Sequence, residues 1–240
     1  MERPDLRYKW TGEKETSNTA LWAVADGVGG ENCGELASLL AVKELSESLS
    51  ELRSVSDLKK WNDLIIAGVS RINEIIINFN AKMASTLAVL LVGHRHAQVF
   101  NLGDSSIFLL RDDDFKLLTA RHTVANQLQK LGVLFPADDK TYPHRNQLTR
   151  YLGMAEEGLI MVPDAGPLME LKAGDIFLVC TDGLTDTLAD STISDILHTI
   201  SGPVDKSSSL VQAALDMGCR DNVSVIAVEI NNEDLEIEND

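Results

Sequence analysis

Cysteine is scarce in this chain: three in 240 residues, at positions 33, 180 and 219. Widely spaced and odd in number, they form neither a disulfide framework nor a CxxC metal site, and read as reduced thiols in a cytoplasmic protein. Basic residues are also few. Twenty-one Lys and Arg face 37 Asp and Glu, for a formal charge of -16, which argues against nucleic acid or an anionic membrane as a main partner. No apolar run approaches the ~18 residues of a membrane span, and no basic-then-apolar leader opens the sequence, so neither span nor signal peptide is expected. Linkers rich in Gly, Ser or Pro are missing too, and so are internal repeats.

What is present reads as soluble and globular. Hydrophobic residues make up 44% and the mean hydropathy is -0.03, enough to bury a sizeable core. A single domain over 1–232 is expected, followed by an acidic, frayed tail over 233–240.

Hydrophobic spacing divides the domain into blocks. "ALWAVAD" (20–26) reads as a short strand buried on both faces. "GELASLLAVKELSESL" (34–49) has helical periodicity. A second helix places Trp61, Leu64, Ile65, Val69, Ile72, Ile76 and Phe79 on one face, with Ser56 and Asp57 as N-cap candidates. The two helices should form an antiparallel hairpin. The period then shortens: "STLAVLLVG", "HAQVFNLGD", "SIFLLRD" and "FKLLT" (85–119) predict a β-meander. Residues 122–150, with Pro136 and Pro143, read as a helix followed by a mobile segment. Strand signals return at "DIFLVCTDG" (175–183) and "NVSVIAVEI" (222–230), with helices near 190–200 and 206–217 between them. Strands and helices in separate blocks indicate α+β layers.

Four acids share one local grammar. Asp26 ends "LWAVAD", Asp104 ends "VFNLGD", Asp182 ends "IFLVCTD", and Asp221 opens "DNVSVIAVEI". Strand ends are good platforms, because the sheet fixes the backbone while the loop leaves room for ligands. Converging carboxylates repel and drift toward neutrality unless cations stand among them, and oxygen-only donors suit Mg²⁺ or Mn²⁺. Such ions would also reconcile the acidic charge with a phosphorylated substrate. Gly27, Gly29 and Gly30 would let backbone oxygens and water approach. Any one of these acids alone is as well explained as a turn residue; four of them at apolar strand ends are not.

At these residues the sequence resembles the metal-dependent PPM-type (type 2C) protein serine/threonine phosphatases, in particular the bacterial branch. "VADGVGG", "NLGDSSIFLLR", "CTDGLTDTL" and "CRDNVSVIAV" are similar to the family's DGxGG, GDS-strand, DG-x-x-D and DN-strand motifs, in order, from about residue 20 to 230. The resemblance implies a four-layer αββα sandwich of the PPM phosphatase type and two metal ions, Mn²⁺ or Mg²⁺, bridged by a water or hydroxide. Asp26 would bridge the ions and the Gly27 carbonyl would bind one of them. Asp182 and Asp221 would complete the other's shell, so Asp26, Asp182 and Asp221 would act catalytically through the bridging water. Asp104 matches a ligand for a weaker third metal, with Asp186 as a further support. The implied reaction is hydrolysis of phosphoserine and phosphothreonine in proteins. Those proteins would be substrates of a bacterial Ser/Thr kinase, and specificity would be carried by a flap region at about 123–150; the cysteines point to the cytoplasm, and a monomer is the default expectation.

The chain also departs from the family. Asp5 in "RPDLRY" stands at about the distance of an N-terminal acid that closes on the metals. The match to the family's phosphate-binding arginine would fall before Met1, and Arg3 and Arg7 are out of register. Val28 replaces a histidine found in some relatives. "LTARHT" is similar to the family's LT-x-D-H-S segment, with Arg121 replacing the acid. Arg121 reads as a surface residue or a substitute phosphate contact, His122 as a packed residue or a proton donor, and His94 and His96 as hairpin-loop residues. These departures motivate a second reading, a pseudophosphatase that binds a phosphoprotein or partner with little turnover, and a third, a metal-stabilised interaction module.

Overall fold

In a computed structural model of the chain, residues 19–28, 33–53, 58–79, 83–93, 95–135, 142–155 and 160–236 are described. The chain opens with β1 (Thr19–Val24) and the short β2 (Gly27–Val28), followed by α1 (Gly34–Arg53) and α2 (Lys60–Asn78). Next come β3 (Ala84–Ser85), β4 (Leu87–Gly93), β5 (His96–Leu102), β6 (Ser106–Arg111), β7 (Asp114–Leu117) and α3 (Val124–Lys130). The C-terminal third holds β8 (Asp164–Ala165), β9 (Met169–Glu170), β10 (Ile176–Cys180), α4 (Asp182–Thr185), α5 (Asp190–Thr199), α6 (Pro203–Asp216), β11 (Val225–Glu229) and α7 (Asn232–Glu236).

Two antiparallel sheets form the middle. One runs β1-β4-β5-β8, with β9 also paired to β5; the other runs β11-β10-β6-β7. Side chains alternate between the faces of a strand, and β4 and β5 show what this does. Leu87, Val89, Leu91, Phe100 and Leu102 point to one face and pack with Ala37, Ala41 and Leu45 of α1 and Trp61, Ile65, Val69, Ile72 and Ile76 of α2. Ala88, Leu90, Ala97 and Val99 point to the other face and meet Ile107, Leu109, Phe177, Val179 and Val228 of the second sheet. The second sheet's outer face, with Phe108, Leu110, Leu178 and Cys180, is covered by Leu184, Ile193, Leu197, Leu210 and Ala214 from α4, α5 and α6. Helices, sheet, sheet, helices: the expected αββα sandwich, with three core layers between four structural ones.

Several expectations are corrected. The meander is split. β4 and β5 belong to one sheet and β6 and β7 to the other, because the turn after Leu102, with Gly103 at φ +103°, carries the chain from one layer to the next. β1 is half-buried along most of its length rather than buried on both faces, since it lies at the end of its sheet among the described residues. Phe79 sits just past α2 and is exposed. Lys59 occupies the cap position of α2 without a side-chain cap bond, while Ser56 and Asp57 lie outside the described residues. His96 is a strand residue paired with Gly93; His94 lies outside the described residues. The acidic tail begins as α7, whose Leu235 packs against the inter-sheet core. Among the described residues, no helix is long and apolar enough to cross a membrane.

Candidate metal centre

The acids take their places by a common device. β1, β5 and β10 end at Val24, Leu102 and Cys180, and Asp26, Asp104 and Asp182 each lie two residues further on. Asp182 is also the first residue of α4. Asp221 lies in the connection from α6 to β11. All four come to one end of the sandwich, where their charges act on one another.

Packing of backbone on backbone fixes two of these turns. A Cβ built on Gly27 would stand 2.1 Å from the carbonyl oxygen of Gly34, so the Asp26 turn lies flush against the start of α1. Gly27 is thus required for close approach, a reason separate from any opening toward ions; Gly29 and Gly30 lie outside the described residues. A Cβ on Gly183 would stand 2.2 Å from the carbonyl oxygen of Asn222. That contact, together with Thr181 N–H donating to the Ser224 carbonyl at 3.1 Å and Ser224 N–H to Thr181 Oγ1 at 3.0 Å, clasps the Asp221 loop onto the Asp182 turn.

A buried hydroxyl network ties the Asp26 and Asp104 turns together. Asp26 N–H donates to Thr86 Oγ1 at 3.0 Å, and Thr86 N–H returns a bond to the Asp26 carbonyl at 2.8 Å. Ser85 Oγ donates to that same carbonyl at 3.0 Å. Thr86 Oγ1 in turn lies 2.7 Å from Ser105 Oγ, beside Asp104. None of Ser85, Thr86 and Ser105 is identifiable from sequence pattern, because their roles depend on contacts between distant segments.

Electrostatics reflect the convergence. The Asp26 carboxyl is pushed up to about 7, chiefly by burial and then by the charges of Asp182, Asp221 and Asp104, and it is hydrogen-bonded to Asp182. Asp104 is also pushed up to about 7, by burial and then Asp182, with Arg121 opposing. Asp182 is raised by burial and by Asp186 and Asp221. Each buried acid is held in a field that favours its neutral form, the condition that a cation among them would reverse. Among the described residues, no three Asp, Glu, His or Cys side chains close around a single point as an all-protein cage would. Pairs of carboxylates with room for water are what Mg²⁺-like ions take, since such ions keep several waters and use one or two carboxylates each. The donor set therefore fits hard divalent cations. Asp182, Gly183, Asp186, Cys219 and Asp221 line an open cleft of about 340 Å³.

The other candidates fall into place around this centre. Asp186 lies one turn after Asp182 and is engaged by basic and amide groups: Arg121 at 3.4 Å, Arg145 at 3.4 Å and Asn146 at 2.7 Å. Arg121 also donates to Thr185 Oγ1 at 2.6 Å, so it belongs to the site and not to an unrelated surface. His122 is buried. Its Nδ1 accepts from Gly103 N–H at 3.0 Å and its Nε2 lies 3.0 Å from Asp164. Burial holds its pKa below the usual imidazole value, so the ring is neutral, with the Nε2 proton directed at Asp164. It braces the Gly103–Asp104 turn. Asp5, Arg3 and Arg7 lie outside the described residues.

Comparison with known proteins bears on the chain as a whole. The protein phosphatase 2C family model matches residues 9–217. The chain is 33% identical over 218 residues to protein phosphatase PhpP of Streptococcus pneumoniae, covering 89% of this chain and 87% of that one. Among solved structures, the serine/threonine phosphatase of S. agalactiae superposes with a TM-score of 0.80 at 26% identity, over 92% of this chain and 96% of that one. The catalytic domain of the phosphatase PstP, in complex with two manganese ions, gives a TM-score of 0.73 at 27% identity, over 94% and 96%. Sequence and fold agree, and the chain belongs to the protein phosphatase 2C family.

Proposed function

We propose that this chain hydrolyses phosphoserine and phosphothreonine in proteins, using divalent metal ions, Mn²⁺ or Mg²⁺, held at the strand-end acids. The observation that carries the reading is the mutual electrostatic reach of Asp26, Asp104, Asp182 and Asp221, brought together from four separate connections. Asp26, the Gly27 carbonyl, Asp182 and Asp221 would hold the two ions. Bound there, they supply the positive charge that lowers the pKa of water and neutralises the oxygens of a phosphoryl group during in-line displacement.

The protein's own contribution is placement. Thr86 and Ser85 fix the Asp26 backbone from two sides, and the Gly27–Gly34 contact sets how the turn meets α1. The Gly183–Asn222 contact brings Asp221 to Asp182. Preorganised charge of this kind costs no rearrangement when the reaction occurs. Keeping several buried acids in a mutually repulsive arrangement is a cost that supports turnover over mere partner binding. In the finer reading, the substrates are proteins phosphorylated by a bacterial serine/threonine kinase and the enzyme acts as a cytoplasmic monomer. The bacterial serine/threonine phosphatases it is similar to support phosphorylated proteins as substrates.

The test is hydrolysis of p-nitrophenyl phosphate and a phosphothreonine peptide by the full chain, with Mn²⁺ and with EDTA, alongside Asp182→Asn. The expected result is turnover that requires Mn²⁺ and is lost in the variant. A folded chain that binds Mn²⁺ but hydrolyses neither compound would overturn the proposal.

A further inference from the structure

Arg121 is an unusual neighbour for an acidic centre. Its guanidinium is fixed at two points, by Thr185 Oγ1 at 2.6 Å and by an Asp186 oxygen at 3.4 Å. Both anchor residues lie in or directly after α4, the turn that starts with Asp182. Arginine remains charged at every accessible pH, so this flank of the cluster carries a permanent positive charge.

The family resemblance implies a third, weaker ion at Asp104 and Asp186, and the residues present do not fit one. Both oxygens of Asp186 are already engaged, one by Arg121 and the other by Arg145 and Asn146. A divalent ion entering there would stand against two guanidinium groups and would have to strip away their bonds. The Asp26, Asp182 and Asp221 side of the site has no such obstacle among the contacts described. Resting on the two-ion reading above, we propose that Arg121 is a built-in cation on the Asp186 flank, so that this chain takes two divalent ions and excludes a third. Arg121 is then a positioning residue: it holds Asp186 toward the 145–146 segment. Arg145 and Asn146 complete the arrangement by tying the same carboxylate to the segment that follows α3.

The experiment counts ions rather than turnover. Mn²⁺ binding to the full chain is followed by equilibrium dialysis with electron paramagnetic resonance of the free ion, for wild type, Arg121→Ala, Arg121→Ala with Arg145→Ala, and Arg121→Lys. Circular dichroism establishes that each is folded, and Arg121→Gln replaces any alanine variant that is not. The expected result is two ions on wild type and on Arg121→Lys. A third ion should appear on the neutral variants, at least tenfold tighter than any third binding event on wild type, and should be lost again when Asp186→Asn is added. Three comparable ions on wild type, or two on every folded variant, would overturn the proposal. Wild type that binds no Mn²⁺ and hydrolyses nothing would instead remove the phosphatase reading on which it rests.

Discussion

The Gly27 and Gly34 backbones meet so closely that a Cβ on Gly34 would stand 2.8 Å from both the carbonyl carbon and the carbonyl oxygen of Gly27. The Gly27 carbonyl proposed as a metal ligand is thus positioned by the first residue of α1. Gly34→Ala leaves every carboxylate in place and pushes this carbonyl away. Displacement of a reacting constellation by about 1 Å typically costs about 10²-fold in rate. The expected outcome is a fall in kcat/KM of that order with p-nitrophenyl phosphate, together with weaker Mn²⁺ binding. Titrating activity against Mn²⁺ checks both.

Thr86→Val tests the buried hydroxyl network. The substitution preserves shape, but Asp26 N–H and Ser105 Oγ lose their partner. An unsatisfied buried polar group costs about 1–3 kcal/mol, here concentrated at the two turns carrying Asp26 and Asp104. Stability should fall by an amount in that range, and kcat should fall at least tenfold. Thr86→Ser, which restores the hydroxyl, should recover most of the activity. Denaturant melts and steady-state kinetics on the two variants make the comparison.

Much of this site is legible in the amino-acid sequence, and the reason is specific. Asp26, Asp104 and Asp182 each lie two residues past an apolar strand, so the packing of the two sheets brings them together once the strands are recognised. The helical faces of α1 and α2 are also readable, because a 3.6-residue period survives along both. Thr86 and Ser105 escape notice because a small polar residue at a strand margin looks the same whether it faces water or a partner 60 positions away. The assignment of strands to sheets is hidden for a similar reason. Strands buried on both faces have the same composition in either sheet, and only the left-handed turn at Gly103 separates them. α4 spans only Asp182–Thr185, too short to show a period. Asp186 is singled out in the sequence only by its resemblance to a family motif, and its capture by Arg121, Arg145 and Asn146, which come from elsewhere in the chain, is not legible there.

The raised acids make the stability of the metal-free protein depend on pH. Asp26 and Asp104 bind a proton up to about pH 7 when folded, against a reference of 3.8. Between those values the folded state holds protons that the unfolded chain has released, so stability falls as pH rises. The contribution is full below about pH 4, declines through the window and is gone above about 7. In EDTA, Tm should therefore drop from pH 5 to pH 7.5. Asp104→Asn should flatten part of that slope, which separates it from the opposing effect of buried His122. Mn²⁺ binds the folded state and competes with the same protons, so its upward shift of Tm should be larger at pH 7.5 than at pH 5.5. Thermal melts with and without EDTA across this range carry the test.

Far from the acids, Arg111 and Asp175 provide a control for stability without chemistry. Arg111 Nε and Nη2 donate to the two oxygens of Asp175, both at 2.7 Å, and Lys172 N–H adds a third bond at 2.9 Å. Asp175 is buried and immediately precedes β10, while Arg111 closes β6. The pair thus fastens the two central strands of the second sheet at the end away from Cys180 and Asp182. Removing one partner of a fully buried pair typically costs about 3–5 kcal/mol, and because the Arg111 side chain is 27% exposed the loss here should be smaller, about 2–3 kcal/mol. Asp175→Ala should lower Tm by roughly 5–10 °C, at about 2–4 °C per kcal/mol for a chain of this size. Replacing both partners, as Arg111→Met with Asp175→Ala, should recover part of the loss, because no charge is then stranded. Well below the transition, kcat and Mn²⁺ affinity should stay within about twofold of wild type in each variant, since additivity holds for sites sharing no contacts. A drop in kcat without a drop in Tm would mean that strain at this end of the sheet reaches the acids along β10.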